Sequence, residues 1–173
     1  MSLDRVRTAI RDIPDFPKPG ILFKDITPVL HDAALFKAAV DVFVDRHQAG
    51  RIQRVAAIES RGFLFGAAVA YRLGIGLVPI RKKGKLPYKT VEQTYDLEYG
   101  TATIEAHVDA FKPGERVLLI DDLLATGGTA RAAADLIEKL GGSVEEIDFL
   151  IELAFLRGRD KLTKYKVYAP IVY

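Results

Sequence analysis

The chain has 173 residues, enough for one domain with a sizeable core. It contains no cysteine, which excludes disulfides, thiolate catalysis and cysteine-bound zinc and suits a reducing compartment. A formal charge of +2 from 25 basic and 23 acidic residues is too small to imply nucleic acid by itself, so each basic cluster is weighed locally.

The first stretch, MSLDRVRTAIRDIP, carries charges throughout, which fits no secretory leader, and sets Leu3, Val6, Ile10 and Ile13 on one helical stripe. PDFPKPGILFKDITPVL follows as an extended segment, because Pro17, Pro19 and Pro28 forbid a helix interior. Asp32 is placed to cap the helix AALFKAAVDVFVDRHQ, which Gly50 ends. RVAAI reads as a buried strand, ESRGF as a turn, LFGAAVAYRL as a helix stopped at Gly74, and GLVPI as the next strand. Alternation from Tyr95 to Ala106 predicts a two-stranded arm. VLLI, ATGGT and ARAAADLIEKLGG then form strand, loop and helix, with strands after them in VEEIDFLIEL and KVYAPIVY. No apolar run approaches the roughly 20 residues of a membrane span. Strands alternating with helices predict an α/β fold with a mainly parallel sheet, helices on both faces, and ligands at the carboxyl ends of the strands.

In VLLIDDLLATGGTA the amides of Thr126 to Thr129 open a helix, where unpaired N–H groups and the helix dipole favour a phosphate. The spacing is neither G-x-x-x-x-G-K-[ST] nor G-x-G-x-x-G. Asp121 and Asp122, at the strand's carboxyl end, can accept hydrogen bonds from ribose hydroxyls, so loop and acids together suit a sugar phosphate with a divalent metal to offset the charge. The same residues also fit a tight turn capped by Asp122. Glu59-Ser60-Arg61-Gly62 opens another helix on the same edge and makes a second anion site, or else a simple cap with Arg61 in solvent. The run Arg81 to Lys89 reads as a solvated loop, a nucleic-acid patch or a mobile lid over a polyanion. His31, His47 and His107 are scattered without metal-ligand spacing.

These residues resemble the type I phosphoribosyltransferases. VLLIDDLLATGGTA is similar to that family's phosphoribosyl pyrophosphate signature, and FPKPGILFKDITPVL, ESRGFLFG, IRKKGKLP and LEYG occur in the order and spacing of the branch that takes adenine. The resemblance implies a twisted, mainly parallel sheet flanked by helices, in a single domain over residues 1–173 whose first 30 or so form a base-binding hood, with a mobile two-stranded arm. It implies a homodimer in the cytoplasm that transfers the 5-phosphoribosyl group from phosphoribosyl pyrophosphate to adenine, with no nucleic acid or membrane partner. Mg2+ would be bound mainly through the substrate rather than by direct side-chain ligation.

Roles carry over by matching position. Asp121 and Asp122 would take the ribose hydroxyls, and Ala125, Thr126, Gly127, Gly128 and Thr129 the 5′-phosphate. Ser60 and Arg61 match the pyrophosphate loop, with a cis peptide expected at Glu59-Ser60. Arg81, Lys82 and Lys85 would contact pyrophosphate from the basic loop, Arg81 reaching a neighbouring subunit's site. Leu22 and Lys24 match positions whose backbone reads the purine edge, with Phe23 and Leu123 near its faces. Glu98 would handle the ring proton at N7 and, with Arg61, counts as catalytic. The C-terminal KLTKYKVYAPIVY matches least and is expected to lie away from the site. Against a 6-oxopurine substrate stands Ala125, where that relative tends to carry an acid; against orotate stand GILFKD and LEYG. A ligand-sensing regulator on the same fold would need a further surface or domain.

Overall fold

In the computed structural model, which describes residues 3–97 and 100–173, the chain groups into two units, Met1–Asp45 and Arg46–Tyr173. The first unit contains α1 (Leu3–Ala9), β1 (Arg11–Pro14), β2 (Leu22–Asp25), α2 (Thr27–His31) and most of α3 (Ala33–His47). The stripe predicted to stay helical through Ile13 breaks after Ala9, because residues 11–14 pair antiparallel with β2 and set Ile13 opposite Phe23. A ladder partner outweighs local periodicity here. α2 was not foreseen. Pro28 stands in its first turn, where a missing N–H costs nothing, so proline starts this helix instead of forbidding it. Asp32 caps α3 as expected, its Oδ1 accepting the N–H groups of Ala34 at 2.9 Å and Leu35 at 3.0 Å.

The second unit runs β3 (Arg54–Ile58), α4 (Arg61–Leu73), β4 (Gly76–Lys82), β5 (Thr90–Asp96), β6 (Thr101–His107), β7 (Arg116–Leu124), α5 (Gly128–Lys139), β8 (Ser143–Glu152), β9 (Val167–Tyr168) and β10 (Ile171–Val172). One sheet takes the order β10-β8-β7-β3-β4-β6-β5, with β9 also on β8. All its pairs are parallel except β4–β6 and β6–β5, which form the arm. The predicted arm therefore exists, and its first strand begins at Thr90, before Tyr95. The single strand expected in KVYAPIVY is two short ones, since Pro170 between them has no N–H for a ladder.

Burial explains why the central strands read as continuous apolar runs. Val117, Leu118, Leu119 and Ile120 are wholly buried, as are Val55, Ala56 and Ala57. Alanines line the buried side of α5, at Ala130, Ala132, Ala133 and Ala134, so this helix can approach the sheet closely. Each fully buried Leu, Ile or Phe contributes about 1.5–3 kcal/mol, and truncating Leu119 to alanine would cost about 2–5 kcal/mol. Because β3, β4, β7 and β8 are parallel, their carboxyl ends share one edge of the sheet. Glu59, Arg81, Asp121 and the loop after Leu124 all emerge there.

Candidate active site

β7 continues beyond its apolar run through Asp121 and Asp122 to Leu124, so both acids belong to the strand. Four residues later α5 begins. Its N-cap is Gly127, with φ 78° and no side-chain cap, so Asp122 is not the helix cap that the sequence also allowed. A Cβ on Gly127 would stand 2.3 Å from the carbonyl oxygen of Gly158, so only glycine fits this left-handed position. The loop encloses a hollow of about 80 Å³ lined by Ala125, Thr126, Gly127, Gly128 and Thr129, with Asp121 at its side. Leu123, expected near the base, lines the same hollow. The N-terminus of a three-turn helix aims into it, which suits an anion about the size of phosphate.

The acid pair beside it is poorly compensated. Asp122 donates its backbone N–H to Asp121 Oδ1 at 2.9 Å. Arg61 Nε lies 2.9 Å from Asp122 Oδ2, yet that buried oxygen accepts no aligned hydrogen bond from the described residues. Burial first, and the neighbouring charge of Asp122 second, push Asp121 well above the usual carboxylate range. Burial also raises Asp122, though Arg61 opposes the shift. Such acceptors suit a ligand that arrives with hydroxyl donors. α4 comes in close: a Cβ on Gly62 would meet Asp121 Oδ1 at 2.8 Å.

Across the cleft stands the second candidate anion site. The Glu59–Ser60 peptide is cis, as the resemblance implied. Ser60, Arg61, Arg81, Lys82, Asp121 and Asp122 line a shared cavity of about 330 Å³. Glu59 gathers the basic residues: its carboxylate accepts Lys85 Nζ at 2.6 Å, the Lys82 N–H at 3.0 Å, and Arg81 Nε and Nη2 at 3.3 Å each. Desolvation would raise Glu59, but these bonds outweigh it and hold the group down to about 2. Arg81 also donates to the Lys85 carbonyl at 3.1 Å, and thus lines its own chain's cleft. The loop proper is short, residues 83–89, since Arg81 and Lys82 end β4 and Thr90 starts β5. Glu105 on β6 pins its backbone, accepting the N–H groups of Lys85 and Leu86 at 3.0 Å each.

The base-reading candidates lie in the first unit. Leu22 is exposed, Phe23 meets Phe16 edge to face at 5.1 Å, and Lys24 is buried with Nζ 2.6 Å from Asp12 Oδ1. Glu98 lies outside the described residues. Several partners were not foreseen. The sequence places Tyr95 only in the arm, yet its hydroxyl lies 3.1 Å from Thr129 Oγ1 and its side chain lines the cleft. Lys161, the first residue of the tail expected to stay clear of the site, lines a cavity with Thr126, Gly128 and Thr129. His47, scattered in sequence, meets Asp148 at 2.8 Å, with Glu146 completing a group whose ligand atoms lie within 4.8 Å of one another. Separations near 100 residues hide that cluster from any spacing rule.

Residues 29–168 match the family model described as phosphoribosyl transferase domain. The chain is 59% identical over 157 residues to an adenine phosphoribosyltransferase of Acidothermus cellulolyticus, covering 91% of this chain and 89% of that one. The crystal structure of adenine phosphoribosyltransferase from Thermoanaerobacter pseudethanolicus superposes with a TM-score of 0.97 at 52% identity, over 99% of this chain and 100% of that one. The Saccharomyces cerevisiae enzyme, solved with adenine and D-2,5-dideoxy-2,5-imino-altritol 1,6-bisphosphate, gives 0.92 at 39% identity, over 96% and 97% of the two chains.

Proposed function

The chain belongs to the phosphoribosyl transferase domain family, and from that membership we propose that its cleft transfers the 5-phosphoribosyl group from phosphoribosyl pyrophosphate to adenine, giving AMP and pyrophosphate. The observation that carries the reading is the phosphate-sized hollow at the start of α5, set beside Asp121 and Asp122, one of whose buried oxygens accepts no hydrogen bond from the described residues, and facing a basic wall across one cleft.

Asp121 and Asp122 accept hydrogen bonds from the ribose hydroxyls, and Ala125 to Thr129 hold the 5′-phosphate. Ser60, Arg61, Arg81, Lys82 and Lys85 take the pyrophosphate. With both ends of the sugar anchored, adenine N9 attacks C1 as the bond from C1 to the pyrophosphate oxygen breaks. The electron pair of that bond leaves with pyrophosphate, where the cations stabilise it, so catalysis is mostly positioning and electrostatics. Glu98 accepts the ring proton, for which a carboxylate ionised at neutral pH is suited. Mg2+ fits this donor set, since it prefers oxygen ligands, keeps its waters and would ride on the substrate near Asp121 and Asp122. When bound it offsets the charge of the leaving pyrophosphate.

The purine edge is read by backbone between Gly20 and Lys24. Adenine presents an amino donor at C6 and an acceptor at N1, and hypoxanthine presents the reverse. A site with C=O towards the amine and N–H towards N1 then rejects hypoxanthine by roughly 10⁴-fold or more, because mismatched groups stay unpaired. The active form is a homodimer, which the apolar side chains left exposed on α4, Leu64 and Tyr71, support. Among the described residues no helix is long and apolar enough to cross a membrane.

Pyrophosphate release measured with adenine, hypoxanthine and orotate in turn tests the reading. Release with adenine alone is expected. Comparable efficiency with hypoxanthine refutes the base assignment, and binding of phosphoribosyl pyrophosphate without turnover on any base would favour a sensor. Ala125→Asp is the companion variant, expected to gain hypoxanthine activity.

A further inference from the structure

A phosphate monoester carries nearly two negative charges at neutral pH. The hollow at Ala125–Thr129 meets them with amides, hydroxyls and a helix dipole, while Asp121 adds a carboxylate to the same lining. No cation is among the described residues that line it. One reaches the loop from the far end of the chain.

After β8 the chain passes through a 3₁₀ helix, Gly158–Lys161, wedged against the loop. A Cβ on Gly158 would lie 2.3 Å from the Ala125 carbonyl oxygen, so this contact admits glycine only. Three other bonds and contacts fix the segment. Arg159 forks onto both carboxylate oxygens of Glu152 at 2.7–2.9 Å, Arg131 donates to the Lys161 carbonyl at 3.4 Å, and Leu162 is buried. The backbone at residue 161 is therefore held, and its side chain points along the loop: Lys161 Nζ stands 3.8 Å from where a Cβ of Gly128 would be. It is the only cation among the described residues lining a cavity of about 720 Å³ that opens on Thr126, Gly128 and Thr129. Lys85 and Lys164 sit on Glu59 and Glu138, whereas no carboxylate of the described residues pairs with Lys161.

We propose that Lys161 closes on the 5′-phosphate of the phosphoribosyl substrate and supplies the positive charge that the loop lacks. This rests on the reaction assigned above. It makes the C-terminal segment part of the substrate site, with the 3₁₀ helix as both buttress of the loop and carrier of its cation.

The test compares wild type, Lys161→Ala, Lys161→Arg and, as a control for lost surface charge, Lys164→Ala. In Lys161→Ala the KM for phosphoribosyl pyrophosphate is expected to rise about ten- to a hundredfold, the scale of one charge-assisted hydrogen bond, with the KM for adenine unchanged. Ribose 5-phosphate should inhibit that variant correspondingly less, and pyrophosphate should inhibit it as it does wild type. Lys161→Arg should recover most of the loss and Lys164→Ala should show none. An unchanged KM, or equal losses towards ribose 5-phosphate and pyrophosphate, overturns the proposal. If Lys161→Ala melts early, Lys161→Met keeps the stem and the same two results decide. Calorimetric binding of ribose 5-phosphate needs no turnover, so a wild type that makes no AMP would sink the reaction while the Lys161 contact is still judged by that binding.

Discussion

The Lys85 ammonium rests 2.6 Å from Glu59 Oε1, on the same carboxylate that receives Arg81. A single acid therefore holds two of the cations proposed to take pyrophosphate. Glu59→Gln keeps the size of the side chain and removes the charge. Trypsin cleavage within residues 83–89 is expected to rise about three- to tenfold, a discounted figure because Lys85 is half exposed. Unchanged cleavage would mean that Glu105 alone secures the loop. The pH dependence has a definite sign. A carboxylate held at about 2 against an ordinary 4.5 stabilises the folded loop fully above 4.5 and loses that effect as pH falls towards 2. Hydrogen-exchange protection of the loop should decline across that window in wild type and not in Glu59→Gln.

The acid pair carries the opposite sign. Asp121 and Asp122 are raised by burial, so the folded state favours their protons and loses stability as pH rises from 3.8 through their raised values. Asp121→Asn and Asp122→Asn should each raise the melting temperature of the ligand-free protein at neutral pH by a few degrees. Both should weaken phosphoribosyl pyrophosphate binding by roughly 1–3 kcal/mol. A lowered melting temperature with unchanged binding would assign the pair a structural role.

Gly127 is the point where the loop proposed to hold phosphate and the Gly158 turn touch. Gly127→Ala forces both a strained φ and an overlap with backbone, so a loss of about 2 kcal/mol or more in stability is expected, with ribose 5-phosphate binding abolished. Thermal melts and calorimetry check the two halves separately. Normal binding in this variant would show that the loop's amides are not what meets the phosphate.

Arg81 lines the cleft of its own chain, beside Asp122. Mixing an Arg81→Ala subunit with an Asp122→Asn subunit should accordingly restore no activity, because each site in the heterodimer would lack one residue. Recovery of part of the activity in verified heterodimers would put Arg81 in the neighbouring subunit's site, as the family resemblance implied.

Short-range order was legible in the sequence. VLLI, RVAAI and GLVPI announce strands buried on both faces, and glycines mark where α4 stops and α5 starts, because backbone conformation and burial are imposed locally. The strand, loop and helix around Ala125–Thr129 could be read for the same reason, since they are consecutive in the chain. What the sequence could not decide were partners far apart along it. The break after Ala9 needed β2 as a ladder partner for Ile13, and nothing local in the chain placed Lys85 and Arg81 on Glu59. His47 found Asp148 across about 100 residues, and Lys161 reached Gly128 only once Gly158 had packed against Ala125. Such contacts depend on parallel crossovers that bring distant strand ends to one edge, and no periodicity in a linear chain records which ends will meet.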